Sequence, residues 1–297
     1  MNNPTFFQKV KRYKSSYLFL LPFLLVFVFF TVIPVLLSII LSFTDFNMVS
    51  MPKWSGLTNY VRMILDDNVF GIAVKNTLIF AMITGPVSYI ISIFFAWLVN
   101  EVNKKLRTAF TVMFYAPSLT ANAVLIWAYI FSGDAYGLVN SFLMKMGMIS
   151  DPVNWLIDPS YNMGVIIFIQ LWLSLGVGFL SFIAGFQTIN KSIYEAGAID
   201  GIQNRFQELW YLTLPSIRPQ LMFGAVMQIG AAFSISSIPM TLTGAVSTNY
   251  STTTIVTHII DVGTTRMEMG YACAIATVLF ITMIIFKNLV STIIQSD

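Results

Sequence analysis

The chain has 297 residues, of which 57% are hydrophobic and 10% charged, with a mean hydropathy of +0.77. A soluble domain carries roughly 25% charged residues, and a globule of this size could not hide so much apolar surface, which excludes a water-soluble protein and points to an integral membrane protein. One Cys and one His exclude a disulfide framework and a multi-ligand Cys/His metal site, and a net charge of +3 without a basic run on a polar face excludes nucleic acid as a partner.

Charged residues fall between long uncharged runs. A basic segment, 1–16, leads into an apolar run at 17–43. That run is too long for a signal-peptide core and no small-residue cleavage site follows it, so it reads as an uncleaved anchor. Uncharged runs follow at 76–100, 108–132, 160–190 and 220–243, the last closed by Pro239 and Gly244, and an apolar stretch at 269–293 is interrupted only by Lys287. Each reaches the roughly 20 residues that a spanning helix needs. The expectation is an all-α membrane protein with six transmembrane helices in one domain, 17–294. Lys9, Lys11, Arg12, Lys14, Lys104, Lys105, Arg107, Lys191, Arg205, Arg218 and Lys287 fall on one side, against Lys53, Arg62, Lys75, Lys145 and Arg266 on the other. The positive-inside rule then places both termini in the cytoplasm.

All 13 acidic residues fall in connections or tails. Proton-coupled carriers usually need an intramembrane carboxylate or His, and voltage sensors an Arg ladder within a helix; neither is present. Sodium coupling through backbone carbonyls stays open. Neutral polar residues do lie inside the runs: Ser88, Asn122, Trp127, Gln170, Trp172, Ser174, Gln228, Ser234, Ser236 and Ser237. They fit helix–helix hydrogen bonding and close packing. They fit equally a lining for a neutral polyhydroxy solute, with amides and hydroxyls exchanging hydrogen bonds and Trp faces covering sugar rings. His258, in the Thr-rich stretch TTTIVTHII, reads as an exposed or capping residue, and Cys273 as a small buried hydrophobe. Gly176 and Gly178 read as sites of close helix packing. With no G-x-x-x-x-G-K-[ST] loop, the chain does not hydrolyse ATP by that route, and no constellation of His, Asp and Glu suggests a membrane enzyme.

The connection between the fourth and fifth spans, 191–219, contains YEAGAIDGIQNRFQELWYLTLPSIRP. Its apolar spacing predicts a short helix over 193–199, released into a turn by Gly201, and a second helical stretch over 204–213 ending before Pro215. Phe206, Leu209, Trp210 and Leu212 are too apolar for a free loop and call for a cover, either the ends of the spanning helices or another protein.

This segment resembles the EAA motif of permease subunits of binding-protein-dependent ABC importers: EAA, three residues, Gly, nine residues, Ile, one residue, Leu-Pro. The chain supplies Glu195, Ala196 and Gly197, then Asp200 and Gly201, and finally Leu212, Leu214 and Pro215. Gly197 replaces a third Ala, and ten residues rather than nine separate Gly201 from Leu212. LFLLPFLLVFVFFTVIPVLLSIILSFTDFN, GLTNYVRMILDD, KNTLIF, GLVNSFL and EMGYACAIATVLF are similar to the carbohydrate branch, which includes maltose and glycerol-phosphate permeases.

The resemblance implies a type I ABC importer transmembrane domain with a cytoplasmic coupling helix between helices four and five. That helix would dock on a separate ATPase subunit, Ala196, Gly197, Ala198 and Gly201 permitting close approach. Glu195 and Asp200 would bond to the partner or cap local backbone, and Phe206, Leu214 and Pro215 would complete the coupling site. The chain would be no enzyme itself and bind no cofactor, ATP and Mg residing on two partner ATPase subunits. A second homologous permease, giving a heterodimer, and an extracytoplasmic solute-binding protein meeting loops 133–159 and 245–268 complete the implied assembly in a bacterial cytoplasmic membrane. The implied cargo is a sugar or oligosaccharide moved by alternating access; another neutral polar solute or a glycerol-phosphate-like compound is the alternative. Its path would pass Gln228, Ser234 and Ser236, then Asn122, Trp127 and Trp172. An ATP-independent carrier would explain the spans but not the EAA-like segment.

Overall fold

The computed structural model describes residues 13–120 and 122–295. Lys9, Lys11, Arg12 and most of the 1–16 segment, together with Asp297, lie outside the described residues. The first helix, α1 (Lys14–Leu41), contains a π turn at Val28–Val32. Pro34 stands two residues beyond it, so the carbonyl four residues back lies inside the widened turn, which relieves the clash that a proline ring makes there. A two-residue antiparallel ribbon then pairs β1 (Thr44–Asp45) with β2 (Lys53–Trp54), in register Thr44↔Trp54. It is a small exception to the all-α expectation. The short helix α2 (Thr58–Leu65) leads to α3 (Asn68–Glu101), a 34-residue helix with Pro86 inside. Its N-cap is Asp67, whose carboxylate accepts from the Phe70 N–H at 2.9 Å.

The next run divides into α4 (Lys104–Leu119) and α5 (Ala123–Ile130), bent by 80° to one another. Pro117 lies in the last turn of α4, and Thr120, which follows its last residue, is extended. A helix in the following connection, α6 (Leu138–Lys145), precedes α7 (Asn162–Trp172) and α8 (Val177–Thr188), which are separated by a break at 173–176. Then come α9 (Lys191–Ile199), α10 (residues 205–216, with a π turn at Glu208–Thr213), α11 (Arg218–Phe233) and α12 (Ser237–Thr243). The chain closes with α13 (Ile255–Ile260), prolonged by a π turn at Asp261–Thr265, and α14 (Met269–Gln295). Among the described residues, five helical segments are long and apolar enough to cross a membrane, namely α1, α3, α7 with α8, α11 with α12, and α14, and six if the bent α4–α5 pair is one span.

The bundle is built on α3, α8 and α11. In lipid, helices gain by approaching closely, so small residues sit at their contacts. A methyl added to Gly178 of α8 would stand 3.6 Å from the Cα of Gly224 of α11, and the ring of the fully buried Phe182 occupies the space that a side chain at Gly224 would need. Gly176 lies instead at the helix break with open space around it, so only the Gly178 half of the pair is a packing glycine. Cys273 is buried in α14. The Ile33–Leu41 part of α1 packs on α14 and is at most half-buried, and neither it nor Lys14–Val32 contributes a fully buried residue.

At the end of the bundle where α3 begins, the Thr-rich stretch is not an exposed loop. Thr252, Thr253, Thr254, Thr257 and His258 are all buried, His258 at 1% exposure. The expectation of an exposed His258 is therefore overturned. Asn76 of α3 donates to the carbonyls of Tyr250 and Thr253 at 2.9 and 3.0 Å, Thr77 accepts from the Ile255 N–H at 2.9 Å, and Thr254 donates to the Ile235 carbonyl at 2.8 Å. Such a segment can be buried because its backbone groups find partners on neighbouring helices.

Candidate functional site

Residues 191–216 form a helical hairpin. Asn190 caps α9 through the Ser192 N–H at 3.1 Å. At the other end, the Ile202 N–H reaches the Gly197 carbonyl at 3.0 Å and the Gly201 N–H the Ala198 carbonyl at 3.4 Å. This paired closure requires a left-handed residue between, and Gly201 has φ +92°. Glu195, Ala196, Ala198 and Asp200 all face outward, while Gly197 alone of α9 is buried. A methyl at Gly197 would stand 2.5 Å from the tip of Leu212, which accounts for glycine where the motif usually has alanine.

The ten-residue spacing also has a structural explanation. An extra residue in a regular helix would rotate everything beyond it by about 100°. A π turn takes up one residue without that rotation, and Glu208–Thr213 is such a turn. Thr213 donates its hydroxyl to the Glu208 carbonyl at 3.1 Å across the widened turn and lies 3.1 Å from the Tyr194 hydroxyl of α9. Leu214 and Pro215 thus still lead directly into α11. Phe206 is 69% exposed and contacts Trp97 of α3. Arg205 pairs with Glu208 at 2.7 Å and lies 3.8 Å from Glu101, and both carboxylates hold its guanidinium above the ordinary arginine value.

A second feature lies where α7 breaks from α8. A cleft of about 250 Å³ is lined by Tyr115, Ser118, Gln170, Ser174, Met227 and Gln228, with Gly176 and Gly178 on its floor. The Ser174 carbonyl, released by the break, accepts from Gln228 Nε2 at 3.3 Å and Ser92 Oγ at 3.4 Å, while Ser174 Oγ donates back to Leu171 O at 2.6 Å. Irregular backbone at this depth is sustained where protein groups or a polar cavity satisfy it. The walls carry amide, hydroxyl and phenol groups and no formal charge.

Of the six residues expected along the solute path, Gln228 alone lines this cleft. Ser234 and Ser236 lie at the junction of α11 and α12. Asn122 stands at the start of α5 and is exposed. Trp127 and Trp172 meet edge to face at 5.2 Å in an aromatic cluster with Phe131 and Phe168. There Trp127 Nε1 is buried without an acceptor among the described residues, and Trp172 remains 38% exposed. Tyr115 and Ser118 were not anticipated as site residues; their spacing of three on α4 puts them on one helical face, the only signal the sequence carries for them.

The opposite end holds a polar cluster that sequence reading also missed. Asp67 accepts from His258 Nε2 at 2.8 Å and from the Tyr271 hydroxyl at 2.6 Å, besides its own Phe70 N–H. Burial pushes this carboxyl up, but the bonds from Tyr271, Phe70 and His258 outweigh it and hold it below the usual carboxylate value. Arg62 pairs with Glu268 at 2.8 Å and lies over the Tyr271 ring at 4.3 Å. Burial pulls its guanidinium down, yet the Glu268 carboxylate keeps it above the ordinary value. Residues from α2, α3, α13 and α14 thereby meet at one point.

Residues 88–295 match the family described as binding-protein-dependent transport system inner membrane component. The lactose transport system permease protein LacF of Rhizobium radiobacter is 33% identical over 73% of this chain and 72% of its own. The arabinooligosaccharides transport system permease protein AraP of Bacillus subtilis (strain 168) is 30% identical over 91% of this chain and 85% of its own. A chain of a bacterial ABC transporter involved in the import of the acidic polysaccharide alginate is similar in structure, with a TM-score of 0.76 at 25% identity, covering 97% of this chain and 99% of that one. With the family match covering most of the chain, and relatives aligned over most of both partners, the chain belongs to the binding-protein-dependent transport system inner membrane components, the permease subunits of ABC transporters.

Proposed function

We propose that this permease passes a sugar or oligosaccharide across the membrane through the cleft at the α7–α8 break. The observation that carries this reading is a polar, uncharged wall of Tyr115, Ser118, Gln170 and Gln228 beside a broken helix. Hydroxyl-rich solutes exchange hydrogen bonds with such groups at little cost, whereas an ion would need a countercharge. Relatives named for lactose and arabinooligosaccharides support a carbohydrate cargo. The structurally similar chain comes from an importer of the acidic polysaccharide alginate, so the fold also serves acidic sugars.

In this reading α9 is the coupling helix. Glu195, Ala196, Ala198 and Asp200 present an outward face to an ATPase subunit, and ATP-driven closure of two such subunits moves the hairpin. The termini lie on the same, cytoplasmic side as the hairpin. A second, related permease completes the pore; the bare Lys14–Val32 part of α1 is apolar surface that such a subunit or lipid would cover. A solute-binding protein delivers cargo at the opposite face.

The test is reconstitution with the partner permease, the ATPase and the binding protein in proteoliposomes. Gln228→Leu, close in volume, should lower sugar uptake while binding-protein-stimulated ATP hydrolysis persists. Uptake by Gln228→Leu equal to the parent would refute the cleft as the path, and sugar transport by this chain alone without ATP would refute the importer reading.

A further inference from the structure

The hairpin is packed on itself before it touches the bundle. Gly197 lies under Leu212, Tyr194 meets Thr213, and Ile202 closes on Gly197. Between this unit and the ends of α3, α4 and α8 lies a polar cavity of about 390 Å³, walled by Asn100, Arg107, Gln187, Lys191 and Tyr194. A cavity of that size and polarity holds water, and displacement is handed on by close-packed atoms rather than across solvent.

Contacts that do bridge the gap come from one face of α10 and one face of α3. The Phe206 and Trp97 rings lie 5.3 Å apart at 51°. Arg205 reaches Glu101 at 3.8 Å, and Leu209 packs on the apolar cluster that contains Trp97. Residues 206 and 209, and 97 and 101, are spaced three and four apart, the spacing that aligns side chains along a helix. Trp97 is 9% exposed and held among Ala96, Val99 and Phe186, so it cannot yield to a push independently of its helix. Glu101 is the last residue of α3. At 1.5 Å per residue that helix runs roughly 50 Å, and its other end carries Asp67, bonded to His258 and Tyr271.

We propose that Trp97 and Glu101 are positioning residues for coupled transport. They receive the displacement of the hairpin through Phe206 and Arg205, and α3 conveys it to the polar cluster on the opposite face. The proposal rests on the permease reading above and adds the point at which motion enters the bundle. Neither residue lies on the outward face of α9, so their loss changes how hydrolysis is used rather than whether the ATPase docks.

The experiment uses the complete importer in proteoliposomes and measures sugar transported per ATP hydrolysed. Trp97→Leu keeps the apolar packing and removes the aromatic contact; an aromatic pair of this kind corresponds to about a 2- to 12-fold change in an equilibrium. Uptake per ATP should fall in that range, with stimulated hydrolysis and ATPase copurification retained, and Trp97→Phe should restore it. Glu101→Gln, at an exposed position that cannot threaten folding, should act in the same direction by about twofold, as for a surface ion pair. Combined with Arg205→Gln, which also removes the pair with Glu208, it should be no worse than Arg205→Gln alone. An unchanged ratio in Glu101→Gln and in inserted Trp97→Leu overturns the proposal, as does a parallel fall of hydrolysis and uptake. If the unaltered importer shows no binding-protein-stimulated hydrolysis, the permease reading itself fails, a distinguishable result.

Discussion

Asp67→Ala tests the polar cluster at the start of α3. The carboxylate accepts three hydrogen bonds, from His258, Tyr271 and the Phe70 N–H. His258 is 1% exposed and Asp67 12%, so the substitution strands an almost fully buried imidazole. The His258 and Tyr271 donors both lose their acceptor, and each orphaned buried group costs about 1–3 kcal/mol, giving about 3 kcal/mol together. In thermal unfolding of the detergent-solubilised protein this corresponds to a midpoint lower by roughly 5 °C. The double substitution Asp67→Ala with His258→Ala should recover about 1 kcal/mol or more relative to the sum of the singles, because the stranded imidazole is then gone. The pH dependence follows from the same bonds. The carboxyl is held below its ordinary value of 3.8, so the folded protein takes up this proton less readily than the unfolded chain. Its contribution is present in full above the unfolded value and is lost as pH falls through the lower, folded one. Asp67→Ala should therefore flatten the acid limb of the stability profile. A midpoint shift under 1 °C, or strictly additive single effects, would refute the pairing.

Three further outcomes are expected. Gly201→Asp places a side chain at φ +92°, at a backbone cost of about 1–2 kcal/mol. Nothing lies within 4 Å of the site, so insertion should be unaffected while uptake is abolished, with Gly201→Asn intermediate; unimpaired uptake by Gly201→Asp would sink the coupling assignment. Asn140→Ala removes a fully buried amide that donates to Ser132, Asp134 and Val153 carbonyls and accepts from the Val153 N–H and Trp155 Nε1. Each orphaned buried group costs about 1–3 kcal/mol, so hydrogen exchange should rise over 132–155 and leave the α8–α11 contact protected. Gly224→Ala forces the Phe182 ring out of its site and should lower the folded yield, with recovery in combination with Phe182→Leu.

The hairpin was the most legible part of the chain. An Asp-Gly pair after a short apolar helix announces a left-handed stop, and Gly201 adopts one. The apolar Phe206, Leu209 and Leu212 announce a surface that needs covering, and Trp97, the core cluster and Gly197 supply part of that cover. The far end was less legible. TTTIVTHII reads as a polar, exposed run because composition cannot register Asn76, Thr77 and Asp67, which lie far away in sequence and satisfy it on burial. Gln170 and Ser174 were recognisable as polar residues within a span, but no local signal brings Tyr115 and Ser118 to them from another helix.

Charge scarcity and its placement were sufficient to establish a membrane-spanning helical chain, since apolar length and excluded charge are properties of one segment at a time. A one-dimensional motif was sufficient to mark the hairpin, because its glycine and proline act on their own backbone. Where helices break, and which residues the breaks serve, was decided only in three dimensions. A π turn at 208–213 absorbs an extra residue, a gap at 173–176 frees a carbonyl for Gln228, and a carboxylate at position 67 makes a buried histidine tolerable. Each depends on a partner outside its own segment, and the free energy of a buried polar group is set by that partner rather than by its neighbours in sequence.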